Sequence, residues 1–171
     1  PEVTDVTLSP STVQTNDTIT ATVSTSDDDG DTVSLDYAWY VDGSLVAETS
    51  DTLDGATYFD KDQEVYVVVT PNDGVEDGDA VSSDGIIVDN TAPGAPSISI
   101  EPTEPTAGAD DLICQIDADS SDDDGDSISY TIDWEVDGVA YTDATTTHET
   151  GDTVPGAATI GDEIWTCTVT P

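Results

Sequence analysis

Apolar and polar residues alternate along most of this chain, a period of two that is typical of β-strands with one buried face. No segment of helical length shows the helical period of roughly 3.6, so the pattern predicts an all-β protein. In the first half it predicts strands at residues 3–8, 18–24, 32–41, 44–48, 52–53, 63–70 and 80–88. The second half repeats the alternation around Ile98, Cys114, Trp134 and Cys167, without a counterpart of the final strand.

An internal repeat divides the chain into two. The acidic sequence Asp-Asp-Asp-Gly-Asp at residues 27–31 returns at 122–126, and Trp-x-Val-Asp-Gly at 39–43 returns at 134–138. Both motifs recur after 95 positions, which is the length of a whole small domain. We therefore predict two tandem domains, residues 1–92 and 93–171, the second with its last strand truncated. The prolines of residues 89–96 favour an extended linker between them.

Two cysteines, Cys114 and Cys167, fall in the second domain on either side of Trp134. An even pair within one domain indicates a disulfide and an oxidising compartment, and two buried free thiols are the alternative. Short strands with frequent turn signals and the Cys-Trp-Cys order resemble the immunoglobulin fold, in which such a bridge joins the second and sixth strands of a β-sandwich. In the first domain, Ala21 and Val67 are expected at the cysteine positions.

The composition is strongly acidic. The chain has 39 Asp and Glu residues, one lysine and no arginine, which gives a formal net charge of −38. Nucleic acids and anionic membrane surfaces repel such a chain, so we expect neither as a partner. No segment is apolar enough to span a membrane. The self-repulsion has to be offset, either by bound divalent cations or by a salty medium that screens the charges.

Acidic loops provide the candidate chemistry. The resemblance to an immunoglobulin-like sandwich implies that the loop after the second strand and the loop after the sixth lie at the same end of a domain. Ca²⁺ binds roughly six to eight oxygens from carboxylates, amides and backbone carbonyls. The predicted ligands are Asp27, Asp29, Asp31, Asp73, Asp77 and Asp79 in the first domain and Asp122, Asp124 and Asp126 in the second. The alternative is that these residues are solvated turn residues.

The end of the first domain adds Asp89 and Asn90, followed by Thr-Ala-Pro. This sequence partly matches the pattern of the linker calcium sites of cadherins. The resemblance implies that Asp89 and Asn90 complete the calcium site that begins at residues 122–126. A separate motif, Asn16-Asp17-Thr18, fits the acceptor pattern for N-glycosylation at Asn16.

Taken together, the motifs Asp-Gly-Asp, Trp-x-Val-Asp-Gly and Val-Thr-Pro resemble the tandem immunoglobulin-like, calcium-dependent repeats, of cadherin or adhesin type, in large prokaryotic extracellular surface proteins. The resemblance implies a stalk or fibre segment, stiffened by calcium, located outside the cell or on its surface. Its expected partners are neighbouring repeats of the same protein and other copies in a fibre. Since the chain opens on Pro1 and breaks off inside a repeated motif, we expect it to be an excerpt from a longer protein.

Two other functions stay open. The first is a carbohydrate- or ligand-binding accessory module of a secreted protein, for which an exposed aromatic row would be needed. Tyr40, Tyr58 and Tyr141 are the candidates for such a row. The second is a component of a haloarchaeal surface layer, which the charge alone favours. The repeated motifs contain no catalytic constellation, so we do not expect an enzyme.

Overall fold

Strands form nearly all of the regular structure in the computed structural model, which describes every residue from Pro1 to Pro171. They fall into two units, Pro1–Thr91 and Ala92–Pro171, and each unit has its own hydrophobic core. The prediction of an all-β, sandwich-type fold is therefore confirmed. The boundary between the units lies one residue before the predicted one.

Nine strands and one short helix, α1 (Gly55–Tyr58), make up the first unit. In chain order the strands are β1 (Glu2–Ser9), β2 (Val13–Gln14), β3 (Thr18–Ser26), β4 (Ser34–Val41), β5 (Ser44–Leu45), β6 (Thr52–Asp54), β7 (Glu64–Asn72), β8 (Val81–Ser82) and β9 (Ile86–Asp89). One sheet has the order β1-β3-β6. The other has the order β2-β9-β7-β4-β5, with β8 also paired to β7, and only its β2–β9 pair is parallel.

Six strands make up the second unit, with a 3-10 turn at Gly156–Ala158. They are β10 (Ser97–Glu101), β11 (Leu112–Ala118), β12 (Thr131–Val136), β13 (Val139–Tyr141), β14 (Thr153–Val154) and β15 (Trp165–Thr170). The two antiparallel sheets have the orders β10-β11-β14 and β13-β12-β15. These orders match β1-β3-β6 and β5-β4-β7 of the first unit.

A tryptophan lies at the centre of each core. Trp39 is 0 % exposed and pairs with Val67 of β7, while Trp134 is 2 % exposed and pairs with Cys167 of β15. Each indole N–H donates a hydrogen bond to a backbone carbonyl, that of Ser50 at 2.9 Å and that of Gly151 at 3.1 Å. Because its one polar atom is satisfied, the ring can be buried at little cost.

The repeated Val-Asp-Gly sequences form tight hairpin turns. Asp42 and Gly43 have φ of 48° and 73°, and Asp137 and Gly138 have φ of 51° and 77°. Positive φ at both central residues is the two-residue turn that joins twisted antiparallel strands, and Asp-Gly is a preferred sequence for it. The carboxylates of both aspartates also accept a backbone N–H: Asp42 accepts that of Glu64, the first residue of β7, and Asp137 accepts that of Ile164, just before β15. This motif is therefore a feature of the scaffold.

The structure differs from the predicted strands in three places. Residues 80–88 form two short strands, β8 and β9, because the Ser83 hydroxyl accepts the Val67 N–H where the pairing with β7 is interrupted. The segment 44–48 is a strand only at Ser44–Leu45, since the Glu48 carboxylate turns the chain by accepting the N–H groups of Thr49 and Ser50. The pattern also missed β2 and α1, which are too short to show a period.

Candidate metal site

Both acidic sequences fold into the same turn. In the second unit, Asp122 Oδ1 accepts the backbone N–H groups of Asp124 and Asp126, each at 3.0 Å. In the first unit, Asp27 Oδ1 accepts those of Asp29 and Asp31, also at 3.0 Å. A glycine with φ of 73° or 79° follows the third aspartate and allows the backbone to turn back. One aspartate therefore organises each turn through one of its oxygens.

The turn in the second unit gathers three carboxylates. One oxygen each from Asp122, Asp124 and Asp126 lies within 4.8 Å of the others, with Asp122 and Asp124 half-buried and Asp126 exposed. The second oxygen of Asp122, Oδ2, is buried and has no hydrogen-bond partner. The hydroxyl of Ser120 in the same loop is also buried without one. A buried carboxylate oxygen without a donor is costly unless a cation compensates it.

The equivalent oxygen in the first unit has a cationic neighbour. Asp27 Oδ2 lies 3.2 Å from the α-ammonium group of Pro1, and the Asp27 side chain is 8 % exposed. A hydrogen bond to Asp27 raises the pKa of the Pro1 ammonium above its ordinary value, and the charges of Asp27, Asp73 and Glu76 raise it further against the effect of burial. The N–H of Asp31 and then the ammonium hold the pKa of Asp27 below its usual range. Asp27 Oδ2 therefore has a hydrogen-bond partner, whereas the matching oxygen of Asp122 has none.

Only part of the loop after β7 lies beside the acidic turn of the first unit. Asp27, Asp29, Asp73 and Glu76 line one pocket of about 290 Å³ together with Pro1. Asp73 accepts the N–H groups of Val75 and Glu76, which lower its pKa. The other predicted ligands lie outside the lining of this pocket: Asp77 accepts a hydrogen bond from the Asn72 amide at 2.7 Å, and Asp31 and Asp79 are exposed.

Asp89 ends β9 and Asn90 follows it, and the hydrogen bonds of Asn90 join it to residues of the first unit. The backbone carbonyl of Asn90 accepts a hydrogen bond from the Gln14 amide at 3.1 Å. Its side-chain oxygen accepts one from Lys61 Nζ at 3.3 Å, next to Asp62, whose N–H donates to the carbonyl of Val88. The side-chain oxygen of Asn90 is thus engaged by the one lysine of the chain.

The Cys114–Cys167 disulfide is formed, with the two Cα atoms 6.2 Å apart, which confirms the predicted bridge. It joins β11 to β15 beside the buried ring of Trp134. Ala21 and Val67 occupy the matching positions in the first unit. Val67 pairs with Trp39 as Cys167 pairs with Trp134, and the N–H groups of Ala21 and Cys114 donate to the carbonyls of Asp51 and Asp152.

The remaining predicted residues are the glycosylation candidate Asn16 and the three candidate tyrosines. Asn16 is exposed in the turn between β2 and β3, with φ of 74°, so its side chain is accessible. Tyr40 stacks face to face on Tyr66 with ring centroids 4.9 Å apart, and Tyr141 packs edge-on against Trp165. Tyr58 packs against the core of the first unit. These tyrosines do not form a row.

Asp152 is a residue that the sequence pattern missed. Its side chain is 1 % exposed and accepts hydrogen bonds from the N–H groups of Thr147, His148 and Glu149 and from the Thr153 hydroxyl. Burial raises the pKa of this carboxyl, but these donors together outweigh it and lower the pKa. The sequence does mark this position as part of the internal repeat, because Thr-Gly-Asp-Thr at 150–153 corresponds to Thr-Ser-Asp-Thr at 49–52. The repeat does not indicate burial, since the corresponding Asp51 is exposed.

None of the helices is long or apolar enough to cross a membrane. Comparison of the sequence with models of known protein families and with curated proteins found no match. The function of the chain is therefore inferred from the geometry of its own residues.

Proposed function

We propose that this chain is a structural segment, part of a stalk or fibre, of a repetitive extracellular surface protein, and that Ca²⁺ bound by its acidic turns stiffens it. One observation carries the proposal. Asp122, Asp124 and Asp126 bring three carboxylate oxygens within 4.8 Å of one another, and the second oxygen of Asp122 is buried without a hydrogen-bond donor.

The donor set fits a hard divalent cation. All three side chains offer carboxylate oxygen, which Ca²⁺ prefers, and the site contains no sulfur or imidazole that would favour zinc. Asp122 Oδ1 already accepts two backbone N–H groups, so the turn is organised before any ion binds. Bound Ca²⁺ would neutralise the repulsion among the three carboxylates.

The stalk role is supported by the repetition of a scaffold. Both units share sheet orders, hairpin turns and acidic turns, and the motifs that recur serve the fold. Neighbouring repeats, and other copies in a fibre, are the proposed partners. The disulfide favours an oxidising location outside the cell. The proposal assigns the chain no catalytic role.

The decisive experiment compares two neighbouring aspartates by calorimetric titration of Ca²⁺ into the chain. Asp124→Asn keeps the shape of the side chain and removes one charge from the cluster, so the affinity should fall about tenfold or more. Asp123→Asn removes the same charge from an exposed residue outside the cluster and should leave the affinity nearly unchanged.

Two outcomes would contradict the proposal. If both variants weaken binding equally, the ion is held by diffuse charge and no defined site exists. If NaCl at matched ionic strength stabilises the chain as well as calcium does, the aspartates are solvated turn residues, and screening of their charges by salt accounts for the stability.

A further inference from the structure

The outward face of one sheet differs in chemistry between the two units. In the first unit, the residues of β4, β5 and β7 that alternate with the core residues are apolar or aromatic at five paired positions: Ala38, Tyr40, Leu45, Tyr66 and Val68. We call these five residues the tyrosine face. The residues at the same paired positions of β12, β13 and β15 are all exposed, and most are polar: Asp133, Glu135, Ala140, Thr166 and Thr168. The scaffold therefore folds with a polar face here and does not require the apolar one.

The ring of Tyr66 has one covered face and one open face. Tyr40 and Tyr66 lie opposite each other on β4 and β7, and their rings are parallel to within 4° with centroids 4.9 Å apart. This distance matches the spacing of neighbouring strands, so the two rings stand side by side on the sheet. On the far side of Tyr40, Leu45 is its partner on β5. The second face of Tyr66 therefore points the other way, toward β8 and β9.

The interruption between β8 and β9 leaves this second face of Tyr66 uncovered. Because β9 pairs with β7 up to Val65 and β8 pairs with it from Val68 onward, no strand residue pairs with Tyr66 on this side. Continuing the β9 register by one residue brings Gly85, which has no side chain, to this position. The Glu64 carboxylate lies against Gly85, where an added Cβ would meet Glu64 Oε1 at 2.6 Å. A carboxylate thus lies beside the open face of the ring.

The charged residues of this sheet face are acidic. Asp36 on β4 and Glu64 on β7 lie at opposite ends of the tyrosine face, and both are exposed. Lys61, the one lysine of the chain, donates a hydrogen bond to Asn90 beyond the end of β9. Since the chain as a whole carries a formal charge of −38, electrostatic complementarity favours a cationic partner at this face.

We propose that the tyrosine face binds an arginine side chain carried by a segment of a partner protein. The planar guanidinium stacks on the open face of Tyr66 and donates hydrogen bonds to the Glu64 carboxylate beside it. A lysine ammonium is compact and strongly hydrated, so it can pair with the carboxylate but does not stack in the same way. Apolar residues next to the arginine contact Val68. Because this chain contains no arginine, a second copy of it cannot be the partner.

Two capped tripeptides of equal charge test this binding site. Acetyl-Ala-Arg-Val-amide and acetyl-Ala-Lys-Val-amide are each titrated into the full chain, in about 0.15 M NaCl to screen general attraction, and nuclear magnetic resonance shifts are followed residue by residue. We expect saturable binding of the arginine peptide, with the largest shifts at the Tyr66 ring and the Val68 amide. Its affinity should exceed that of the lysine peptide about fivefold or more. The amides of Thr166 and Thr168 at the matching positions of the second unit are the internal control.

Two pairs of matched variants sharpen the test. Tyr66→Thr introduces the residue type of the second unit and should weaken binding of the arginine peptide about fivefold or more, whereas Tyr66→Phe keeps the ring and should bind it nearly as well. Glu64→Gln removes the carboxylate and should also weaken binding. Asp5→Asn removes the same charge from an exposed residue of β1, in the other sheet, and should leave the affinity nearly unchanged. Near-ultraviolet circular dichroism verifies that each variant is folded.

The proposal is overturned if the lysine peptide binds as tightly as the arginine peptide, because general attraction to a negative chain would then explain the binding. It is also overturned if Tyr66→Thr binds the arginine peptide as tightly as the native chain, or if Glu64→Gln and Asp5→Asn weaken binding equally. None of these readouts depends on calcium, so failure here leaves the proposed function standing.

Discussion

At Asp152, three consecutive backbone N–H groups and one hydroxyl surround a carboxylate that is 1 % exposed. Asp27, Asp73 and Asp122 likewise accept backbone N–H groups, each from two residues of its own turn. With one lysine and no arginine in the chain, basic side chains cannot serve these carboxylates. Hydrogen bonds to ionised acceptors are among the stronger ones in proteins, so local stability depends on the carboxylates being charged.

Asp152 makes the second unit sensitive to acid. The folded-state pKa lies below the ordinary value of 3.8, so the carboxylate stabilises the fold fully above about pH 4. This contribution is lost as the pH falls below 3.8 and through the folded pKa. Urea melts between pH 6 and pH 2 should show a steeper loss of stability for the native protein than for Asp152→Asn.

The same variant is destabilised at neutral pH. Each Asp152 oxygen accepts two hydrogen bonds, so an amide NH₂ in place of either oxygen faces two donors. A loss of roughly 3 kcal/mol is expected from the two unsatisfied donors. Asp143→Asn, at an exposed residue of the same loop, is the control. Equal pH profiles for the native protein and Asp152→Asn would contradict the role of this carboxylate.

Among the elements, the strands with a long alternating pattern were predictable and the short ones were not. β3, β4 and β7 begin and end within two residues of their predicted bounds, because alternate burial of valine, isoleucine and aromatic residues leaves a clear period. β2 has two residues and pairs with β9 at the far end of the unit, so nothing local marks it. The split between β8 and β9 lies where the Ser83 side chain accepts the Val67 N–H, a tertiary contact that the local pattern does not show.

For the acidic turns as well, one part of the structure was predictable from the sequence and another part was not. Their backbone geometry is local, since an aspartate that accepts the N–H groups two and four residues later needs only the Asp-x-Asp-Gly-Asp sequence. The burial of Asp122 Oδ2 is a property of the folded unit and leaves no mark in the local sequence. Sequence could therefore indicate which residues form a turn, but not which oxygen is left without a donor.

We expect that a disulfide like that of the second unit can be introduced at the matching strand positions of the first unit. Ala21 and Val67 occupy the positions of Cys114 and Cys167 against Trp39, so we expect Ala21→Cys combined with Val67→Cys to form a bridge between β3 and β7. In the chain-entropy model, closing a loop of this length adds about 4 kcal/mol. Thiol titration and thermal melts under oxidising and reducing conditions measure both effects.

The Ala21→Cys single variant is the control, since it alters the core without a crosslink. Two titratable thiols in the oxidised double variant would show that the matching positions do not face each other closely enough. A bridge that forms without raising the stability would indicate that packing loss around Val67 cancels the entropic gain.

For the whole molecule, calcium should raise stability and stiffness together. A ligand that binds only the folded state adds about 2.7 kcal/mol at a hundredfold excess over its dissociation constant. Chelation should therefore lower the melting temperature, and small-angle scattering should show a more flexible particle. Measurements with calcium, with chelator, and with NaCl at matched ionic strength separate binding from screening. An extended and stable particle in NaCl alone would contradict calcium-dependent stiffening.

The turn that holds Lys61 has a consequence for proteolysis. The peptide bond between Lys61 and Asp62 is the one bond in the chain that trypsin-like proteases recognise. Hydrogen bonds from Lys61 to Asn90 and from Asp62 to Val88 tie this bond to the end of β9. Because proteases need an extended and accessible segment, cleavage requires the turn to open. The folded chain should therefore resist such proteases, and the rate of tryptic cleavage would measure the opening of the first unit alone.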